Sequence, residues 1–302
     1  MSYDVIIIGG GPAGLSAAVY ASRARLKTLL IEKAGCGGQM AVTDLLENYP
    51  GFNGGINGFE LATKLEAQAR DFGTEIIYDE ALSIEGEAVK SVKTNNKTYE
   101  TKTVIIAAGT KAKELGAGGE KQFVGRGVSY CAVCDAPFYK NKEVVVVGGG
   151  NSALQEAIYL SKFAKNVTLI HRRNEFRAVK ILQERLFSVP NISILYDSTV
   201  VKISGNEKVE KLTVENCKTG NKSELKADGL FVFIGLIPNT ANFPQLSINK
   251  YGYIITDENM KTSVSGIFAC GDVRDKMLRQ VVTAAADGAQ AAISAQHYIE
   301  NS

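Results

Sequence analysis

The chain has 302 residues, of which 45% are hydrophobic and 22% are charged. This balance is typical of a globular protein with one large or two ordinary domains. The formal net charge of +2 at pH 7 does not indicate a nucleic-acid or acidic-membrane partner. Five cysteines in a chain of this length are too few for a disulfide-stapled secreted scaffold.

The uncharged stretch 5–22 superficially suggests a membrane span. However, Gly9-Gly10-Gly11-Pro12 interrupts it, and the apolar run before those glycines is far below the ~20 residues that a spanning helix needs. The start MSYDV carries an acid where a signal peptide would carry basic residues. We therefore expect a cytoplasmic protein.

One pattern occurs twice along the chain. Residues 5–20 read VIIIGGGPAGLSAAVY, and residues 144–159 read VVVVGGGNSALQEAIY. Each copy has a β-branched run, a glycine turn and apolar residues at helical spacing, which predicts strand, turn and helix. The two copies together predict an α/β fold with two Rossmann-like dinucleotide-binding domains of the three-layer ββα type.

The two glycine turns are candidate pyrophosphate sites. In such a turn the first glycine permits a tight bend, the second lets the backbone approach the pyrophosphate, and the third small residue lets the helix pack on the strand. The N–H groups at the start of the helix then face the phosphates. The candidate residues are Gly9, Gly11, Pro12, Ala13 and Gly14 in the first copy and Gly148, Gly150, Asn151, Ser152 and Ala153 in the second.

The second strand of each copy ends where such folds meet the adenosine ribose. Glu32 follows TLLI, and His171 follows VTLI at the same offset that separates Gly9 from Gly148. Glu32 can accept hydrogen bonds from free ribose hydroxyls, whereas an arginine cluster suits a 2′-phosphate. The second copy offers that cluster in HRRNEFR, with His171, Arg172, Arg173 and Arg177. We predict FAD in the first copy and NADPH in the second; a solvated basic helix start is the alternative for the cluster.

The segments between and after the copies complete the expected organisation. We predict a loop over 37–52, a helix over 58–73, an antiparallel hairpin layer over 81–102 with a turn at 94–97, and a strand over 103–110. The second copy has its own hairpin layer over 196–225, and the tail has a strand, a turn with Asp272 and a long helix of small residues. Candidate linkers at 115–120 and 236–244 indicate that the second domain is inserted in the first. The predicted domains are 1–111 with 241–302 for FAD, and 112–240 for NADPH.

Cys131 and Cys134 form a C-x-x-C motif followed by Asp135. A zinc site needs about four ligands, and no second C-x-x-C exists, so we predict no metal. A static staple across two residues would constrain the unfolded chain little. We therefore predict a redox-active disulfide. The remaining cysteines are expected to be packing residues: Cys217 and Cys270 buried, and Cys36 in the predicted flavin loop. His297 is expected to be exposed on the last helix.

Taken in order, these motifs resemble the low-molecular-weight thioredoxin reductases, which are flavoprotein pyridine nucleotide-disulphide oxidoreductases. The stretches that carry the resemblance are GGGPAG, GGQ, ENYPGF, CAVCD, GGGNSA, HRRNEFRA, GLIPNT and CGDVRDKMLRQVVTAAADG, and they cover essentially the whole chain. The resemblance implies a homodimer that passes electrons from NADPH through FAD and a disulfide to thioredoxin. It also implies further FAD-binding residues, namely Glu32, Lys33, Gly38, Gln39, Asn48, Gly109, Gly271, Asp272, Arg279, Gln280 and Val281.

The resemblance further implies a role for each residue of the C-x-x-C-D motif. Cys134 would face the flavin, Cys131 would attack the substrate disulfide, and Asp135 would protonate the departing thiolate. A helix cap is the alternative for Asp135. The chain departs from the family at Ala136-Pro137, where glycine usually follows the motif, and at Gln155, where an acid is common. The alternative functions are a flavin disulfide reductase with another protein partner or with ferredoxin as donor, and a nucleotide-sensing protein without catalysis.

Overall fold

The computed structural model describes residues 2–301. The chain begins with β1 (Ser2–Ile8), α1 (Pro12–Arg23), β2 (Thr28–Glu32), α2 (Gly38–Ala41), α3 (Gly58–Asp71), β3 (Glu75–Tyr78), β4 (Ala81–Glu85), β5 (Lys90–Thr94), β6 (Thr98–Ile106) and β7 (Thr110–Ala112). It continues with α4 (Glu120–Phe123), β8 (Val128–Ser129), α5 (Ala132–Asp135), β9 (Glu143–Gly148), α6 (Asn151–Ser161), β10 (Asn166–Ile170), α7 (Lys180–Phe187) and β11 (Ile192–Leu195). The remaining elements are β12 (Ser198–Ser204), β13 (Lys211–Asn216), β14 (Lys222–Lys226), β15 (Gly229–Phe233), β16 (Leu236–Pro238), β17 (Ile267–Ala269) and α8 (Val281–Glu300).

The elements form two compact units. One comprises Met1–Lys111 and Ile237–Ser302, and the other comprises Ala112–Leu236. The chain passes between the units twice, at the short strands β7 and β16, which pair with each other. Within residues 2–301, no helix is long and apolar enough to cross a membrane.

The first unit contains a mixed sheet of seven strands. Its parallel part runs in the order β3-β2-β1-β6-β17. Ile7 on β1 lies beside Leu30 on β2 and Ile105 on β6, and all three side chains are fully buried. The unbroken apolar run of β1 is the pattern that a parallel strand covered on both faces requires.

Helices α1 and α8 pack closely together in the first unit. A Cβ atom on Gly288 of α8 would lie 2.0 Å from the carbonyl oxygen of Ala13, so only glycine permits this approach. Ala291 and Ala295 continue the buried face of α8. The small residues that mark the last helix in the sequence therefore allow α8 to lie against the helix that follows the first glycine turn.

The predicted hairpin layer of the first unit forms, but it is part of the main sheet. Strands β4, β5 and β6 are antiparallel neighbours, and the predicted turn at 94–97 joins β5 to β6. The hairpin strand and the strand expected at 103–110 are one continuous strand, β6. Its first half pairs with β5 and its second half with β17, which is why one strand serves both layers.

The second unit repeats the architecture on a smaller scale. Its parallel sheet has the order β11-β10-β9-β15-β8, and the hairpin layer expected over 196–225 is the antiparallel sheet β12-β13-β14. The β-branched run of β9 is almost completely buried between α6 and this second layer. Both units thus have the Rossmann-like form that the repeated motif predicts.

Candidate active site

The two cysteines of the C-x-x-C motif form a disulfide. Cys131 precedes α5 as its N-cap residue, and the backbone N–H of Cys134 donates to the Cys131 Sγ over 3.2 Å. Cys134 is exposed and Cys131 is half-buried. After reduction, this N–H would remain placed to donate a hydrogen bond to the Cys131 sulfur.

The residues just before Cys131 fix its position. The Ser129 hydroxyl accepts a hydrogen bond from the Cys131 N–H (3.0 Å) and donates to the Cys131 carbonyl oxygen (3.1 Å). The Tyr130 hydroxyl donates to Oε1 of Glu120 over 2.8 Å. Burial and this bond raise the pKa of Tyr130.

Glu120 is a buried carboxylate that joins three segments of the second unit. Its side chain is 2% exposed, and besides Tyr130 it accepts bonds from the N–H groups of Leu115 and Gly116, each 2.7 Å long. The segment that follows the first crossing is therefore tied to the residue that precedes the disulfide. Sequence reasoning missed Glu120, because nothing local marks a glutamate in LGAGGE as buried.

Asp135 is half-buried and adjoins the disulfide. It precedes the 3-10 turn Ala136–Tyr139, and its side chain makes no capping hydrogen bond there. The helix-cap alternative is therefore wrong, and the carboxylate is not committed to the backbone. Burial raises the pKa of Tyr139, and the charge of Asp135 adds to that shift.

The first glycine turn has the geometry that a pyrophosphate requires. Gly9 has φ +106°, and a Cβ there would lie 2.4 Å from the Ala107 carbonyl oxygen; a Cβ on Gly14 would lie 1.8 Å from the Gly9 carbonyl oxygen. No atom lies within 4 Å of the position that a Cβ of Gly11 would take, so the turn is open there. Pro12 begins α1 and Ala13 is buried on it.

Glu32, at the end of β2, accepts hydrogen bonds from the backbone of the glycine turn. Its Oε2 accepts from the Gly10 N–H (2.7 Å) and its Oε1 from the Ala34 N–H (3.0 Å). Each carboxylate oxygen keeps a lone pair for a ligand hydroxyl. Cys36 packs beside Gly10, where a Cβ would lie 3.0 Å from its Sγ. Burial, above all, raises the pKa of the Cys36 thiol to about 12, which agrees with a packing role.

The other residues expected at FAD lie in the same unit and several contact one another. Gln39 Nε2 donates to the carbonyl and hydroxyl oxygens of Thr110, and Asn48 Nδ2 donates to Oε1 of Gln280 over 2.8 Å. A Cβ on Gly38 would lie 3.4 Å from the Gly11 Cα, so the start of α2 approaches the glycine turn. Three further residues of this set remain. Lys33 is exposed, and its Nζ lies 3.9 Å from Oε1 of Glu80. Gly109 has φ +60°, and Val281 is the first residue of α8.

The segment after β17 carries two buried polar atoms on Asp272 and Arg279. Within residues 2–301, Oδ1 of Asp272 and Nε of Arg279 have no hydrogen-bond partner. Burial raises the pKa of Asp272, and the Arg279 guanidinium stacks 3.9 Å from the centre of the Tyr253 ring. Because buried polar groups are almost always paired, these atoms indicate a polar ligand at this turn. The donor Arg279 and the acceptor Asp272 fit the hydroxyls and phosphates of FAD.

Asp287 on α8 holds the same turn, and sequence reasoning did not find it. Its carboxylate accepts from the Gly271 N–H (3.1 Å) and from Lys276 Nζ (2.8 Å), and it pairs with Arg274 (3.4 Å). All three charged side chains are largely buried. The network joins Asp287 on α8 to residues 11 to 16 positions earlier in the chain, so no local sequence pattern predicts it.

The second glycine turn is similar to the first. A Cβ on Gly148 would lie 2.4 Å from the Phe233 carbonyl oxygen and 2.5 Å from the Ala153 Cβ, whereas Gly150 faces open space. Asn151 and Ser152 begin α6, and Ala153 is fully buried. The turn therefore packs tightly where the motif needs small residues and leaves its second glycine accessible.

The expected 2′-phosphate residues divide into two groups. Arg172, Arg173 and Arg177 are exposed, and no ion pair occupies them within the described part of the chain. His171 is only 4% exposed, and its imidazole packs against Gly149. Burial lowers the pKa of His171, and the three nearby guanidinium groups lower it further.

The other cysteines and the second histidine give a mixed result. Cys270 is buried and His297 is exposed, as predicted. The prediction that Cys217 is buried is wrong: it is exposed, because it lies in the turn between β13 and β14 rather than on a strand face. Among the described residues, no group of three or more His, Cys, Asp or Glu side chains could hold a metal ion.

Comparison with known proteins places these features in a family context. The family profile of the pyridine nucleotide-disulphide oxidoreductases matches residues 3–288. A thioredoxin reductase of Bacillus subtilis (strain 168) is 52% identical over 301 residues, covering 99% of this chain and 95% of that protein. The crystal structure of Lactococcus lactis thioredoxin reductase (FR conformation) is 43% identical with a TM-score of 0.97, covering 99% of this chain and all of that one. T. acidophilum thioredoxin reductase is 36% identical with a TM-score of 0.94 and 99% coverage of both chains.

Proposed function

The chain belongs to the pyridine nucleotide-disulphide oxidoreductase family, and we propose that it is a thioredoxin reductase of that family. The observation that carries the proposal is the Cys131–Cys134 disulfide in a unit with its own dinucleotide-type turn. One turnover would consume NADPH, a proton and the disulfide of thioredoxin, and would release NADP⁺ and the thioredoxin dithiol.

FAD is proposed for the first unit and NADPH for the second, so that 1–111 with 241–302 is the FAD-binding domain and 112–240 the NADPH-binding domain. Gly11 and Gly150 supply the open turns, and Asp272 and Arg279 supply buried polar atoms that lack a partner in the described chain. FAD, when bound, supplies a ring that takes up two electrons from NADPH and releases them to a disulfide. Glu32 would orient the ribose of FAD, and the arginines of the second unit would bind the 2′-phosphate of NADPH.

The proposed dithiol chemistry takes its roles from the family resemblance and is supported by one local contact, the bond from the Cys134 N–H to the Cys131 sulfur. After reduction, the Cys131 thiolate attacks one sulfur of the thioredoxin disulfide and displaces the other as a thiolate. Asp135 donates the proton to that departing sulfur. The Cys134 thiolate then attacks the Cys131 sulfur, which closes the disulfide again and releases the second thioredoxin sulfur.

The second unit also offers a place for a protein substrate. Phe138, four residues after Cys134, is 72% exposed, and Pro137 beside it is exposed too. An exposed aromatic ring beside a reactive disulfide is a suitable anchor for a protein partner.

The homodimer and the cytoplasmic location both remain predictions.

The experiment that tests the proposal is oxidation of NADPH by the purified protein in the presence of thioredoxin. We expect steady loss of NADPH absorbance that stops in Cys131→Ser and in Cys134→Ser and continues in Cys217→Ser, the matched exposed cysteine. Turnover with reduced ferredoxin and not NADPH would favour the ferredoxin-linked alternative. Binding of nucleotide without any disulfide turnover would identify a sensing protein and overturn the proposal.

A further inference from the structure

The middle residue of each glycine turn is itself a glycine, and in the second unit the reason is a neighbouring side chain. Gly149 is not among the glycines with positive φ, so its backbone does not require glycine. The three atoms nearest to the position of an added Cβ all belong to the His171 ring, at 2.2, 2.3 and 2.6 Å. Gly149 is therefore needed because the imidazole lies directly on the turn.

The imidazole of His171 is held in that place from several sides. Its Nε2 lies 3.0 Å from the carbonyl oxygen of Glu175, and its ring centre lies 5.4 Å from that of Phe176. Phe176 in turn contacts Tyr196 at 5.3 Å. The His171 backbone is bonded on both sides, to the carbonyl oxygen of Leu195 and to the N–H of Ser198. The ring is thus a fixed spacer between the turn and the segment that follows β10.

Two further hydrogen bonds tie this segment to the same turn. The Arg177 N–H donates to the Gly149 carbonyl oxygen over 2.8 Å. The Val179 N–H donates to Oδ1 of Asn151 over 2.9 Å. The three exposed arginines lie in the segment 172–177, between His171 and the bond at Val179. Their distance from the glycine turn is therefore set by the imidazole and by these two bonds.

We infer that His171 is a positioning residue, which sets the distance between the glycine turn and the arginines and so creates the preference for a 2′-phosphorylated adenine nucleotide. The inference rests on the proposed NADPH site and changes the role of one residue in it. A buried ring whose nitrogen faces the Glu175 carbonyl oxygen is poorly placed to bind phosphate itself. Asn151 contributes in the same way, because its side-chain oxygen accepts the Val179 N–H.

A double-mutant cycle with nucleotide fragments tests this inference. The probes are 2′,5′-ADP, which carries the 2′-phosphate, and 5′-AMP, which lacks it, and the readout is the dissociation constant by calorimetry on the full-length protein with its flavin. We expect Gly149→Ala and His171→Ala each to weaken 2′,5′-ADP binding about tenfold, the equivalent of one lost charge-assisted contact, and to change 5′-AMP binding less than about twofold.

The decisive comparison is the effect of Gly149→Ala when His171 is already alanine. Without the ring, the three atoms nearest to the added Cβ are gone, so we expect the double variant to bind 2′,5′-ADP as His171→Ala does, within about twofold. An equal loss from Gly149→Ala in both backgrounds would mean that the Cβ obstructs the nucleotide directly, and it would overturn the inference. His297→Ala, the exposed histidine, and Gly118→Ala, where a Cβ meets no atom closer than 3.8 Å, are the matched controls.

Failure of the proposed cofactor site is distinguishable from failure of the inference. If the unaltered protein binds 2′,5′-ADP and 5′-AMP equally well, the NADPH proposal and the inference are both overturned. If it prefers 2′,5′-ADP and the preference survives Gly149→Ala and His171→Ala, only the inference is overturned. Should either variant fold poorly by its melting curve, Asn151→Ala tests the second tie, and an unchanged preference in that variant also overturns the inference.

Discussion

Replacing Tyr130 with Phe removes one hydroxyl and tests how firmly the residue before the disulfide is anchored. The lost bond runs from the Tyr130 hydroxyl to the buried carboxylate of Glu120 over 2.8 Å. A hydrogen bond to a charged group contributes about 1.5–3 kcal/mol. Because Oε1 of Glu120 keeps the N–H of Leu115, and Tyr130 itself is only half-buried, we expect the lower end, a loss of about 1.5 kcal/mol.

The pH dependence of this loss follows from the pKa of Tyr130. Burial and the bond to Glu120 raise that pKa above its ordinary value of 10.0, which means that the folded state favours the neutral phenol. The stabilisation is therefore complete below about pH 10 and is lost as the pH rises through the folded-state pKa. The difference in stability between the two proteins should accordingly be constant near neutral pH and shrink above about pH 10.

The assay is urea denaturation followed by circular dichroism, in parallel at about pH 8 and about pH 11. The control is Tyr251→Phe, because that tyrosine is 68% exposed and its loss should change the stability by less than about 0.5 kcal/mol. If Tyr130→Phe unfolds at the same urea concentration as the control variant, the bond to Glu120 does not anchor the segment. A loss that is as large at the higher pH would refute the assigned cause.

Three further outcomes are expected. Arg172→Ala should raise the KM for NADPH about tenfold and leave NADH use unchanged, since only NADPH carries the 2′-phosphate; an equal change with both cofactors would contradict the assignment. Cys134→Ser should accumulate a mixed disulfide with thioredoxin on a non-reducing gel, because Cys131 can attack and nothing resolves the product; accumulation in Cys131→Ser instead would reverse the two roles. Gly11→Val should fold, because no atom lies within 4 Å of its Cβ position, but should purify without flavin absorbance; a yellow, loaded variant would place the cofactor elsewhere.

Local patterns predicted the parts of the fold that depend on neighbours in sequence. Both copies of strand, turn and helix were predicted from a β-branched run, a glycine turn and apolar residues at helical spacing. Both hairpin layers were also predicted from the local sequence. The same local reasoning failed for Cys217, since burial in a hairpin depends on whether a residue lies on the strand or in its turn. Local reasoning also predicted two strands where the structure has one, β6. The pairing partner changes from β5 to β17 along this strand, and its own sequence does not show that change.

The candidate site was predictable only where its chemistry is carried by short motifs. The C-x-x-C pair and the glycine turns could be assigned from spacing. Glu120 and Asp287 could not be, because each is a buried acid whose partners lie on other elements. Their importance follows from the cost of burying an unpaired carboxylate, which is a property of the folded chain and not of the residues beside it.

The two turns nevertheless contain a signal that sequence reasoning can use. In each copy the middle residue of the glycine turn is itself a glycine. The side chain at or just after the end of the second strand packs against that glycine. Glu32 accepts the Gly10 N–H, and a Cβ on Gly10 would lie 3.2 Å from the Glu32 Cβ; His171 covers Gly149 with its ring. In this chain, the glycine in the middle of each turn therefore leaves room for the side chain at or just after the end of the second strand. The acid and the imidazole occupy equivalent places in the two units. We expect the difference in their chemistry to separate the two turns, since the carboxylate of Glu32 can accept from a ribose hydroxyl, whereas the His171 ring is proposed to position the arginines.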